Sequence, residues 1–173
     1  MTPIEYSVLD NSQLLNAAIA LPNTGILKVD PIYSYCYLKV HDDFIHTLFP
    51  MIGEENIQMP DYFSERTSFL GAHISLVYPN ESKSKEIKSD IMNDKIDHAH
   101  SFQVVSLIKA KVYSKIMVGL VVDAPSLEQI RKKYGLSSEL NYNGVIVPFH
   151  ITLAWGNDIM VLNLGIKSDL KSS

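Results

Sequence analysis

Two ten-residue stretches of this chain carry the same reactive residues at the same spacing. One is Gly71-Ala72-His73-Ile74-Ser75-Leu76-Val77-Tyr78-Pro79-Asn80, and the other is Pro148-Phe149-His150-Ile151-Thr152-Leu153-Ala154-Trp155-Gly156-Asn157. In register they share His, Ile, Leu and Asn, and they match Ser with Thr and Tyr with Trp. Each alternates apolar residues with hydroxyl-bearing ones and ends near a Pro or Gly, the pattern of a half-buried strand entering a turn. Residues two apart on a strand share a face, so His73 projects with Ser75 and His150 with Thr152. Such pairs suit displacement at a phosphodiester. An imidazole has an unperturbed pKa of about 6.5, so near neutrality one His can accept a proton while another donates one. Each positioned acid or base contributes roughly 10²–10⁴-fold. Ser75 and Thr152 would donate hydrogen bonds to the non-bridging oxygens, where negative charge builds. A bare His-x-Ser/Thr triplet is a weak signal. The matched flanks carry the weight.

The elements that must position these pairs follow from periodicity and turn residues. Residues 11–20 predict a short helix capped by Asp10 or Asn11, with a turn over 22–25. Residues 31–40 predict a strand with Tyr33, Tyr35 and Tyr37 on one face. A helix over 42–49 stops at Pro50, and 53–68 reads as an irregular exposed loop. The first His strand spans 69–77. A polar helix over 83–97 buries Ile87, Ile91 and Ile96, and strands 101–113 and 115–123 form a hairpin. Pro125 opens a helix that carries Leu127, Ile130 and Tyr134 and ends at Gly135. Residues 137–144 are loop-like, the second His strand spans 145–155, a closing strand spans 160–166, and the tail from Lys167 is frayed. This order implies an α+β protein with two lobes, each a small sheet with a helix on its outer face, in one domain spanning 1–173.

The chain has 173 residues, 46% of them apolar and 20% charged, with a net charge of −4. There is no global basic field to hold long duplex nucleic acid, although a small phosphate-bearing ligand needs only local donors. One cysteine, Cys36, forbids an internal disulfide and fits a reducing compartment. The apolar run Leu14–Leu21 follows Glu5 and Asp10 rather than basic residues and is too short to span a bilayer, so no secretory signal or membrane span is expected. A cytoplasmic monomer is the expectation. His98-Ala99-His100 has no ligand cluster near it and reads as a solvated helix end, so no metal or other cofactor is expected. His41 and His46 read as surface residues, and Lys109, Lys111 and Lys115 as a mostly solvated cluster around the hairpin. Tyr33, Tyr35, Tyr78, Tyr142 and Trp155 are candidate platforms for a nucleobase. Tyr78 and Trp155 lie three residues past Ser75 and Thr152, so they face inward only if their strands bend.

His73-Ile74-Ser75-Leu76 and His150-Ile151-Thr152-Leu153 together resemble the H-x-[S/T]-hydrophobic motifs of the two-histidine (2H) phosphoesterases, the group related to LigT-type RNA ligase/cyclic phosphodiesterases. The resemblance covers both motifs, their separation and the coarse element order. It implies a bilobal, pseudo-twofold pair of small antiparallel sheets around a central groove, and metal-independent chemistry. His73 and His150 then become the acid–base pair, and Ser75 and Thr152 the phosphate ligands. The motifs do not assign which His is the acid. Ser75 stands where Thr is commoner and keeps the hydroxyl. The implied activity is a phosphodiesterase acting on a small nucleotide or short oligonucleotide. Cyclic nucleotides, cyclic dinucleotides, 2′–5′ oligoadenylates and 2′,3′-cyclic phosphates are the leading substrates. In a viral setting such an enzyme would degrade immune second messengers. The alternative is a module that sequesters a nucleotide in the same groove without cutting it.

Overall fold

Ile74 and Leu76 in one His stretch, and Ile151 and Leu153 in the other, are fully buried. Burying each such side chain is worth about 1.5–3 kcal/mol, so the alternation turns one face of each stretch into the core. The computed structural model describes residues 2–30, 32–64 and 70–157. In it the two stretches are adjacent antiparallel strands, paired at Ile74 and Ile151.

In chain order the strands are β1 (Thr2–Pro3), β2 (Glu5–Val8), β3 (Thr24–Val29), β4 (Cys36–Lys39), β5 (Ile57–Gln58), β6 (His73–Val77), β7 (Ala99–Ser101), β8 (Gln103–Val112), β9 (Lys115–Asp123), β10 (Leu140–Tyr142), β11 (Val145–Val147) and β12 (His150–Asn157). The helices are α1 (Ser12–Ile19), α2 (Asp43–His46), α3 (Asp61–Ser64), α4 (Ser84–Met92) and α5 (Pro125–Lys133). The main sheet runs β2-β8-β9-β12-β6-β4-β3-β7, with β5 added against β12. Its pairings are antiparallel, and β1-β11-β10 forms a small second sheet in which only β1 and β11 run parallel. The fold is α+β. Among the described residues β2-β8-β9-β12 lie on one side of the β6–β12 junction and β6-β4-β3-β7 on the other, so the two halves are joined by the strands that bear the histidines. Helix α4 packs on β3 and β4 in one half, and α1 on β8 in the other. Helix α5 follows β9 in sequence but packs against β6 and β7, tying one half to the other.

Several boundaries differ from the sequence expectation for local reasons. Strands β2 and β3 were not anticipated. The Tyr-rich strand begins only at Cys36, because the Asp30 carboxylate accepts the amides of Ile32 and Tyr33 at 2.8 Å each and turns the chain. Pro50 sits inside a 3₁₀ turn (Phe49–Met51) after α2 rather than ending a longer helix. Residues 53–68 contain β5 and α3. Helix α4 ends at Met92, and Asp94 adopts φ of 57°, a left-handed residue that redirects the chain. His98-Ala99-His100 is therefore not a helix end; Ala99 and His100 belong to edge strand β7. The second His strand is split at Pro148, which has no N–H for the ladder. The closing strand expected over 160–166 and the tail from Lys167 lie outside the described residues. Among those described, no helix is long and apolar enough to cross a membrane.

Candidate active site

The Ile74–Ile151 pairing sets the register at the centre of the sheet. Carried one residue either way, it puts His73 opposite Thr152 and Ser75 opposite His150, all four on the face away from the buried isoleucines. Opposed Cβ atoms in such a ladder lie about 4.5–5.5 Å apart and diagonal ones about 7–8 Å. The two histidines occupy one diagonal and the two hydroxyls the other. All four are at most 9% exposed.

Both rings are oriented in the same way. Nδ1 of His73 lies 2.8 Å from the carbonyl oxygen of Gly71, and Nδ1 of His150 lies 2.7 Å from that of Pro148. A carbonyl only accepts, so each Nδ1 carries the proton and each Nε2 is left for chemistry. The carbonyl two residues before each His is thus part of the motif. Gly71 holds its carbonyl in place with φ of 54°, and a Cβ there would lie 2.6 Å from an Asp42 carboxylate oxygen. That carboxylate accepts from the Lys39 ammonium at 2.6 Å and from the Ala72 amide at 3.1 Å. Burial pushes Asp42 upward, but these two donors outweigh it and hold its carboxyl below the ordinary value.

Burial dominates the electrostatics of the pair. It lowers His73 from 6.5 to about 4, against the opposing pull of the Gly71 carbonyl; His150 and Lys39 add smaller repulsions. His150 is also lowered by burial. Both imidazoles are therefore neutral at pH 7, and protonating His150 makes protonation of His73 harder. The surrounding tyrosines stay protonated, since burial raises Tyr35, Tyr62 and Tyr78 above the usual phenol range.

A cavity of about 300 Å³ opens over these side chains, with His73, Ser75, His150 and Thr152 in its wall. Tyr33, Tyr35, Tyr78, Tyr142 and Trp155 line the same cavity. Tyr37 lies against His73 instead, ring centroids 5.6 Å apart. Tyr35 and Tyr78 stack with centroids 5.9 Å apart, and the Tyr35 hydroxyl lies 2.5 Å from Ser75 Oγ. Tyr78 is free to turn inward because β6 has ended at Val77. Trp155 turns inward because β12 slips register against β9 between Thr152 and Ala154. The extra residue gives Trp155, three positions on, the facing of Thr152. Tyr33, at 64% exposed, stands on the rim.

One aromatic residue escaped the sequence reading. Tyr62 from α3 lies edge-on to His73 with centroids 5.0 Å apart, and its hydroxyl bonds to Thr152. Nothing in its surroundings marked a packed element, since Gly53 and Pro60 flank it in a polar stretch.

A family model of the Swiss Army Knife 2H phosphoesterase domain matches residues 36–158, most of the chain and both His strands. The chain is a 2H phosphoesterase. Comparison with curated proteins and with solved structures returns no match.

In this 2H phosphoesterase the groups that can move protons are the two Nε2 atoms, and the groups that can hold an anion are neutral hydroxyls. No Lys or Arg lines the cavity among the described residues. No three His, Cys, Asp or Glu side chains are grouped to hold a metal among them either. His41 and His46 are exposed, and His100 bonds Ser126 Oγ at 2.8 Å, away from the cavity. Lys109 pairs with Glu54 at 3.4 Å, while Lys115 extends over the Trp155 ring, 5.9 Å from its centroid.

A second feature the sequence hid is the support beneath Tyr78 and Tyr142. Arg131 of α5 is 1% exposed, and all five of its N–H groups are used. They reach the Ser137, Leu76 and Glu139 carbonyls and both Glu81 carboxylate oxygens, at 2.7–2.9 Å. Glu81 in turn accepts the amides of Tyr78 at 2.9 Å and Asn141 at 3.1 Å. One buried ion pair therefore fixes the backbone on both sides of the aromatic wall. Periodicity had favoured Leu127, Ile130 and Tyr134 as the buried stripe of α5; the fully buried residues are Leu127 and Arg131.

Proposed function

We propose that this 2H phosphoesterase is a phosphodiesterase in which His73 and His150 are the catalytic base and acid. The observation that carries this reading is the matched orientation of two Nε2 atoms across one cavity, each ring fixed through Nδ1 by a backbone carbonyl. His73, with three tyrosine rings around it and the Lys39 ammonium nearby, is the more strongly held neutral and takes the base role. Its Nε2 accepts a proton from the attacking oxygen, which is water or, on a ribose with a free vicinal hydroxyl, that hydroxyl. The new P–O bond forms as the bond to the leaving oxygen breaks. His150, neutral in the free protein, first takes up a solvent proton on Nε2, favoured by the bound phosphodiester anion, and then gives it to that oxygen. Ser75 and Thr152 donate to the non-bridging oxygens. Neutral donors favour a singly charged diester over a doubly charged monoester, because a dianion in this buried setting would meet no Lys or Arg among the described residues that line the cavity.

The aromatic lining suits a nucleobase, so the substrate is a small nucleotide or short oligonucleotide. A cyclic nucleotide, a cyclic dinucleotide, a 2′–5′ oligoadenylate or a 2′,3′-cyclic phosphate fits this reading, immune second messengers of these kinds included. The reaction uses no cofactor and proceeds in a cytoplasmic monomer. Hydrolysis of such a panel in excess EDTA tests the proposal. Turnover should persist under the chelator and fall at least 10²-fold in His73→Gln and in His150→Gln. With a p-nitrophenyl leaving group, which departs without a proton, His150→Gln should recover most of its loss and His73→Gln should not. Activity that needs added metal, or that survives both substitutions, would refute the mechanism. Tight binding without product would favour a sequestering module.

A further inference from the structure

A second and larger cavity, about 790 Å³, adjoins the first. Tyr62, Tyr142 and Trp155 line both and form the neck between them. The two spaces differ in chemistry. Tyrosines and aliphatic side chains dominate the wall beside the histidines. Beyond the neck the wall carries the amides of Asn56, Gln58 and Asn157, the Ser114 hydroxyl, Lys115 and the Asp61 carboxylate. Strand geometry holds these groups together. Gln58 and Ile57 of β5 pair with Trp155 and Gly156 of β12, and Lys115 of β9 pairs with Asn157. Gly156 permits the approach of β5, since a Cβ there would sit 2.9 Å from the Asn56 carbonyl oxygen.

Side-chain amides and hydroxyls of this kind match the donor and acceptor edges of a nucleobase, and flanking aromatics offer it a stacking face. We infer that the substrate carries two nucleosides joined through the scissile phosphate, one held by the aromatic wall beside the histidines and the second in the polar groove beyond the neck. This inference rests on the phosphodiesterase reading for the position of the phosphate, and it deepens that reading by naming a dinucleotide-sized substrate over a mononucleoside one.

The chain has a single tryptophan, and it stands in the neck, so its fluorescence reports binding without turnover. Wild-type protein would be titrated with a diadenosine phosphorothioate and with adenosine methyl phosphorothioate, a diester of equal charge that lacks the second nucleoside. Linear and cyclic two-nucleoside probes would be run as separate arms. At least one two-nucleoside probe should bind tenfold or more tightly than the methyl ester, and Gln58→Ala and Lys115→Ala should each reduce that ratio fivefold or more. Equal affinities, no binding of either probe, or a ratio unmoved by both substitutions would overturn the inference. Preferential binding with no hydrolysis of the oxygen analogues would remove only the catalytic reading. Hydrolysis without the preference would remove only the second nucleoside site.

Discussion

His73 should make this protein acid-sensitive by an amount that can be worked out from its burial. Its pKa falls from 6.5 to about 4 in the folded chain, chiefly because the buried ring cannot solvate a charge. Between those two values the unfolded chain binds a proton that the folded chain refuses, so stability rises with pH. The full stability is present above about pH 6.5 and is lost as pH falls toward 4. One pKa unit corresponds to about 1.36 kcal/mol, so His73 alone should remove about 2 kcal/mol by pH 5 and about 3 kcal/mol by pH 4. His150 is lowered too and adds loss in the same direction. His73→Gln keeps a donor for the Gly71 carbonyl but does not titrate. Urea melts of the two proteins from pH 7 to pH 4 give the comparison. With a slope of about 1–3 kcal/mol per molar urea, the wild-type midpoint should fall about 1–3 M further than that of His73→Gln. Parallel curves would mean that the ring is solvated in the folded state, and the neutral-base assignment would fall with them. The same depression should place the acid limb of kcat/KM below pH 6.5, with the two histidines titrating as a pair.

Gly71→Ala should lower stability by about 1–3 kcal/mol through its positive φ and the Asp42 contact, and should reduce kcat more than it raises KM, because it displaces the carbonyl that orients His73. Denaturant melts and steady-state kinetics read the two effects. Arg131→Met should cost about 3–5 kcal/mol by stranding the buried Glu81 carboxylate, and Arg131→Met combined with Glu81→Met should recover part of it in thermal melts. Equal melting of single and double variants would refute the pairing. Tyr62→Phe removes only the hydroxyl that bonds Thr152 and should lower kcat/KM severalfold, about 1 kcal/mol, leaving the melting temperature within a few degrees. Ser75→Ala and Thr152→Ala should each cost less turnover than either His→Gln change, as single-turnover rates would show.

Alternation and motif matching were enough to place His73 beside Ser75 and His150 beside Thr152, since side-chain facing on a strand is a local property read at two-residue spacing. The α+β class, the hairpin at Tyr113–Lys115 and the core face carrying Ile74, Leu76, Ile151 and Leu153 were legible for the same reason. Contacts made across long sequence separations were not. The Ile74–Ile151 register that sets the four side chains on two diagonals belongs to a pairing 77 residues apart. The bulge that turns Trp155 inward exists only in relation to β9. Tyr62 sits in a stretch with no periodicity, and its place over His73 follows from β5 docking on β12. Arg131 carried no local signal because its partners, Leu76, Glu81, Ser137 and Glu139, are gathered from three other segments. Residue type and spacing declare what a side chain can do and which way it faces; only the packed sheet decides what it meets, because proximity between distant segments is paid for by the core as a whole.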